Sequence, residues 1–183
     1  NLSMLGLIKD LHKRYNIEST VLMSDVIDGE LAEVLEKENI PYIISPMKHW
    51  TIATNKKLKY TRGFYNNLQN KSYLNQLIKT NNLEQFDLIY SNNSTVYFGA
   101  ILANKLNKPH IWHIREYGNK DYDYAFSHSN NFIKKWFSKA SKIITISKDI
   151  DNYYRKRYDL ENTCMIYNGI SCDKPFRTNW NTE

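Results

Sequence analysis

Short apolar runs rich in β-branched residues alternate with stretches of helical spacing along nearly the whole of this 183-residue chain, and that alternation constrains the fold more than any single motif. The runs are "IESTVLMSD" ending at Asp25, "PYIISP" between two prolines, "FDLIYSNNS", "KPHIWHIRE", "KIITIS" and "NTCMIYNGI". Between them, apolar residues recur at three- and four-residue intervals: Leu2, Leu5, Ile8 and Leu11, then Leu31, Val34 and Leu35. From about Thr61 to Thr80, Phe64, Leu68, Leu74, Leu77 and Ile78 supply the stripe, and further helices are predicted over 95–106, 131–141 and 148–160. Strands separated by helices of this length can return parallel to one another. The pattern therefore predicts an α/β fold, a Rossmann-like, mainly parallel sheet with helices on both faces. Residues 47–60 and 117–130 show no period and read as surface loops.

In open parallel sheets, ligands sit outside the carboxyl ends of the strands, where helix N-termini turn their amides outward. Several predicted strands end there in polar residues: Ser91-Asn92-Asn93, His113-Ile114-Arg115-Glu116, Ser147-Lys148 and Asn168-Gly169. Each group also has a plain structural use. Ser91 to Ser94 and Ser147 can cap the helices that follow them. Arg115 and Glu116 can form an ion pair, His113 can be a satisfied core histidine, and Asn168-Gly169 reads as a turn.

The formal charge of +6 and a pI near 9.1 point to an anionic partner without choosing among nucleic acid, phosphorylated ligand and membrane surface. The two cysteines, Cys164 and Cys172, form neither a disulfide framework nor a metal motif. No run approaches the roughly 18 apolar residues of a membrane span, and no secretory signal is recognisable, so a cytoplasmic protein is expected. No P-loop, GxSxG, HExxH or GxGxxG occurs. The basic, tyrosine-rich stretches "KKLKYTRGFY" and "NYYRKRY" keep open an alternative, a basic nucleotide- or nucleic-acid-binding Rossmann-like module.

The order of motifs carries more than any one of them. "NLSMLGLIKDLHKRYNIESTVLMSD", "FDLIYSNNS", "KPHIWHIREYG", "ASKIITISKDIDNYY" and "MIYNGI" resemble, in sequence and spacing, the N-terminal half of the retaining glycosyltransferases of family 4, one half of a GT-B fold. The resemblance spans residues 1–170 as one Rossmann-like domain, with 171–183 as the start of an interdomain linker. It implies an acceptor-binding domain whose donor-binding partner domain, with its glutamate pair, lies outside this stretch. The chain already opens in a helical pattern at Asn1, so the family's first strand and glycine-rich turn are expected to be missing, and the fragment alone is expected to be inactive.

The resemblance further implies transfer of a sugar, with retention, from a nucleotide-diphosphate sugar to a glycan or lipid-linked acceptor. The donor is a substrate; no cofactor, no metal and no nucleic acid are expected. Arg115 would offset anionic charge, and His113 and Glu116 would position or polarise the acceptor hydroxyl. Asn92, Ser147 and Lys148 would contact acceptor or donor, and Asn168 and Gly169 would form the hinge. Bacterial surface polysaccharide synthesis is the expected setting; the asparagine-, lysine-, isoleucine- and tyrosine-rich composition resembles that of an AT-rich bacterial genome. Cations and aromatics within "MKHWTIATNKKLKYTRGFY", among them Lys56, Lys57, Lys59 and Arg62, suit peripheral contact with the inner face of a membrane.

Overall fold

The computed structural model describes residues 2–24, 30–53, 58–118 and 124–169. They belong to two compact units, residues 1–19 with 168–183, and residues 20–167. Asp25, Lys56, Lys57, Cys172 and the linker proposed at 171–183 lie outside the described residues.

The first unit contains helix α1 (Leu2–Tyr15), as the spacing predicts. Leu5 is buried, and His12, Lys13 and Arg14 occupy the last turn, where cations complement the negative end of the helix dipole. The helix stops at Asn16, whose φ of 53° is left-handed.

In the second unit, β1 (Val21–Met23) pairs in parallel with β2 (Tyr42–Ile44) across helix α2 (Glu30–Lys37). A separate parallel sheet has the order β4 (Ile89–Ser91), β5 (His110–Ile114), β7 (Lys142–Thr145), β8 (Thr163–Met165). Its crossovers run through α4 (Phe98–Leu106), α5 (Asn130–Ser138) and α6 (Lys148–Tyr158). The mainly parallel α/β architecture is the expected one. Among the described residues, β1 and β4 are each paired on one side only.

The two stretches read as loops behave differently. Thr51–Ala53 (β3) pairs antiparallel with Tyr124–Phe126 (β6), so each expected loop contains a short strand. The signal is weak in sequence because the pairing spans more than 70 residues and each strand is three residues long.

Trp50, immediately before β3, explains why the pairing forms. Its ring is fully buried, stacked on Tyr97 at 4.8 Å and on Trp112 at 5.6 Å. Its indole Nε1 donates to the Ser94 carbonyl at 2.6 Å, and its own carbonyl accepts from the Ser127 backbone N at 2.7 Å and hydroxyl at 2.8 Å. One residue thus ties β3, β5, β6 and the β4–α4 connection together. Phe98, Phe126, Phe137, Tyr154 and Tyr158 surround this cluster and complete the core.

Helix α3 (Lys59–Thr80) departs from the apolar stripe expected of it. Leu74 and Leu77 are buried, but Phe64 and Leu68 are 61% and 47% exposed. The N-terminal half docks through polar groups instead. Asn70, fully buried, accepts from the Lys48 backbone N at 2.8 Å and donates to its carbonyl at 2.9 Å. Asn66 donates to the His49 carbonyl, and Asn67 accepts from the Tyr97 hydroxyl. At Gly63 the helix comes so close to the β6 end that an added Cβ would lie 2.3 Å from the Ser127 carbonyl oxygen.

Gly63→Ala is therefore expected to cost about 1–3 kcal/mol, where the same change in an unobstructed helix adds up to about 1 kcal/mol. Urea unfolding of the two proteins gives the sign.

Candidate functional site

Register decides which side chains share the sheet edge. Tyr90 lies opposite Ile111, and Ser91 opposite Trp112. Because side chains alternate between faces, Tyr90, Ile111 and His113 fall on one face and Ser91, His110, Trp112 and Ile114 on the other. The second face packs under α4, α5 and α6; the first carries the polar cluster at the carboxyl ends of β4 and β5.

In that cluster the Tyr90 hydroxyl is 2.5 Å from His113 Nδ1, and the Arg115 guanidinium Nη2 is 3.4 Å from the same nitrogen. Arg115 Nε donates to Asn92 Oδ1 at 3.0 Å. A guanidinium can only donate, so Nδ1 is the acceptor and the ring proton of neutral His113 sits on Nε2. That Nε2 is buried and has no hydrogen-bond partner among the described residues. Burial, and secondarily the positive charge of Arg115, lowers the His113 pKa from 6.5 to about 4. Burial likewise raises Tyr90 to about 12. Three of the residues singled out in the sequence, Asn92, His113 and Arg115, are thus brought together, with Tyr90 as an unforeseen fourth. The period-two alternation of "LIYSN" against "HIWHIR" is the signal that would have found it.

Glu116 is placed differently. Its Oε1 accepts from the Ser94 backbone N at 2.6 Å and from the Ser94 hydroxyl at 2.7 Å. Ser94 is fully buried, and its carbonyl receives Trp50 Nε1, so the carboxylate fastens the β4–α4 connection to the end of β5. The serines expected to cap α4 have other partners: Ser91 Oγ bonds His110 Nε2 at 2.9 Å, and Ser94 bonds Glu116. Helix α4 begins only at Phe98, with Tyr97 at its N-cap and no side-chain cap, while Asn93 Oδ1 accepts from Val96 N just ahead of it.

Ser147 does cap its helix: its hydroxyl accepts from Ile150 N at 3.2 Å at the start of α6, and Lys148 is the exposed first residue. Asn168 and Gly169 belong to the other compact unit, and neither has a left-handed φ, so the turn geometry that the pair suggests is not adopted. Gly118 does need to be glycine: it follows Tyr117 with a φ of +71° and lies over the buried Tyr154 hydroxyl.

An open groove of about 520 Å³ runs along α6 from its first turn, lined by Tyr117, Asp149, Asn152, Tyr153, Lys156 and Arg157. Arg157 is held in place by donating to the Tyr153 hydroxyl at 2.7 Å, over the Tyr153 and Tyr158 rings. Tyr117 meets Tyr153 edge-on at 5.4 Å. Sequence reading had not assembled this groove, since its residues come from two segments more than 30 positions apart.

Two measurements test this description. Glu116→Ala leaves the buried Ser94 amide without its acceptor and is expected to cost about 1–3 kcal/mol in urea unfolding, with Glu116→Gln closer to wild type. His110 is also lowered by burial to about 4. Both rings are neutral in the fold, whereas in the unfolded chain they take up protons near their ordinary 6.5. Their contribution to stability is therefore whole above about pH 6.5 and declines as the pH falls from there towards 4. His113→Gln should flatten part of that decline.

Comparison with known proteins gives the arrangement its context. Alr3699/HepE from Anabaena, solved in complex with UDP and glucose, is similar in fold, with a TM-score of 0.58 and 19% identity. The match covers 93% of this chain but 42% of that one. No curated protein sequence matches the chain. The description Glycosyltransferase Family 4 matches residues 5–174, almost the full length of the parallel α/β architecture and every residue of the polar cluster. The chain belongs to Glycosyltransferase Family 4.

Proposed function

We propose that this domain supplies the acceptor side of a retaining sugar transfer, from a nucleotide-diphosphate sugar to a hydroxyl of a glycan or lipid-linked acceptor, in bacterial surface polysaccharide synthesis. The observation that carries the reading is the Tyr90–His113–Arg115–Asn92 cluster at the carboxyl ends of two adjacent parallel strands in a member of this family.

The chemistry follows from the groups present. Loss of a nucleoside diphosphate leaves negative charge on the departing oxygens, which a fixed cation stabilises more in the transition state than in the ground state. Arg115, oriented by Asn92, is that cation. His113, kept neutral at physiological pH by its low pKa, meets Tyr90 and Arg115 through Nδ1 and helps hold the guanidinium in place. Glu116 acts through Ser94: it fixes the β4–α4 connection on which Asn92 stands. The groove along α6, with two tyrosines, an asparagine, an aspartate and two cations, extends from the same edge and suits the next sugar of a glycan acceptor.

The donor-binding half of such an enzyme is a second domain. Asn168 and Gly169 serve as the hinge, in keeping with the boundary between compact units after Tyr167.

In the protein carrying both halves, Arg115→Ala is expected to lower kcat/KM for sugar transfer by about 10²- to 10³-fold with little change in unfolding midpoint. Arg157→Ala should act on the acceptor KM. Retention would appear as an unchanged anomeric configuration in the NMR spectrum of the first-formed product. Full activity in Arg115→Ala, or an inverted product, would overturn the reading.

A further inference from the structure

Five large apolar side chains within eleven residues, Leu58, Tyr60, Phe64, Tyr65 and Leu68, are between 47% and 72% exposed. Isolated exposed hydrophobics are ordinary, but a contiguous set marks a contact surface. At about 100° per residue, Tyr60, Phe64 and Leu68 form one stripe along α3, with Tyr65 beside it and Leu58 just ahead of the first turn. The opposite side of the helix is already occupied: Gly63 lies against Ser127, Asn70 clamps the Lys48 backbone, and Leu74 and Leu77 are in the core. The stripe is not a core face that has lost its partner.

The charge around it narrows the choice of partner. All 22 residues of α3 include no aspartate or glutamate, yet they carry Lys59, Arg62, Lys71 and Lys79. Lys59 Nζ lies 5.0 Å over the Tyr60 ring, an arrangement that lets the aliphatic stem follow the apolar surface while the ammonium stays at its rim. Tyrosine rings flanking a phenylalanine and a leucine, rimmed by cations, match the layering of a lipid interface. Two copies of this chain meeting through the stripe would instead bring their cations together.

We infer that the N-terminal half of α3 is a peripheral membrane-docking surface, which lies in the plane of an anionic bilayer with Tyr60, Phe64, Tyr65 and Leu68 facing the acyl boundary and Lys59, Arg62 and Lys71 among the headgroup phosphates. Among the described residues no helix is long and apolar enough to cross a membrane. The inference stands on α3 alone, apart from the sugar-transfer reading. Transfer to a water-soluble acceptor tests that reading without involving lipid.

The test is cosedimentation of the full-length protein with vesicles of phosphatidylcholine, with and without phosphatidylglycerol. Binding is expected to need the anionic lipid and to weaken as salt is raised. The double variant Phe64→Ser/Leu68→Ser should lose about tenfold or more in binding, by removal of buried acyl contact. The triple variant Lys59→Glu/Arg62→Glu/Lys71→Glu should lose at least as much, at about fivefold per cation removed. Both sets are on the surface, so the unfolding midpoint should stay near that of wild type; if the apolar variant fails to fold, the charge variant still decides. Equal binding to neutral vesicles, or unchanged binding in the charge variant, overturns the inference. So does a concentration-dependent dimer in sedimentation that Phe64→Ser/Leu68→Ser dissolves without any vesicle binding by wild type; the stripe would then be a contact between copies.

Discussion

The stacking of Trp50 between Tyr97 and Trp112 is the interaction on which the rest of the second unit depends. Sheets built of strands three to five residues long have little hydrogen-bonding strength of their own. What holds these strands at fixed separations is a slab of aromatic rings, with Phe126 and Phe137 meeting the Trp50 ring edge-on. The polar groups of Trp50 are all used, to Ser94, Thr95 and Ser127, so the slab positions backbone as well as burying surface. Desolvated hydrogen bonds of this kind are modest in net energy but costly to leave unmade, which makes the arrangement specific.

That specificity is transmitted to the polar cluster. The Ser94 carbonyl receives Trp50, while its amide and hydroxyl serve Glu116. The β4–α4 connection is thereby fixed from both sides, and Asn92 and Arg115 meet across it. His113 sits in the same setting as a neutral ring with one nitrogen committed to Tyr90 and the other, buried, without a partner among the described residues.

Much of this was legible in the sequence, for identifiable reasons. The parallel strands declare themselves by β-branched runs at crossover spacing, and the polar endings of two of them contain Asn92, His113 and Arg115, which the fold brings into one cluster. The role of Glu116 as a fastener could not be read, because its partner Ser94 is 22 residues away and looks like an ordinary cap. Helix α3 misled for a related reason. Its inner face is made partly of asparagines that bond to the backbone of residues 48 and 49, and periodicity arguments count apolar residues only. The antiparallel pair β3–β6 was hidden by its shortness and by the distance between its strands, with Trp50 as the sole hint of burial.

The helix ends carry a different kind of information. Helices α1, α2, α4 and α6 give way to left-handed residues at Asn16, Asn39, Asn107 and Asp159, and none of the four is glycine. Asparagine tolerates that conformation better than most side chains, but glycine adopts it without strain. A small strain is thus repeated at the helix ends, and it leaves room for stabilisation that has nothing to do with the function of the domain.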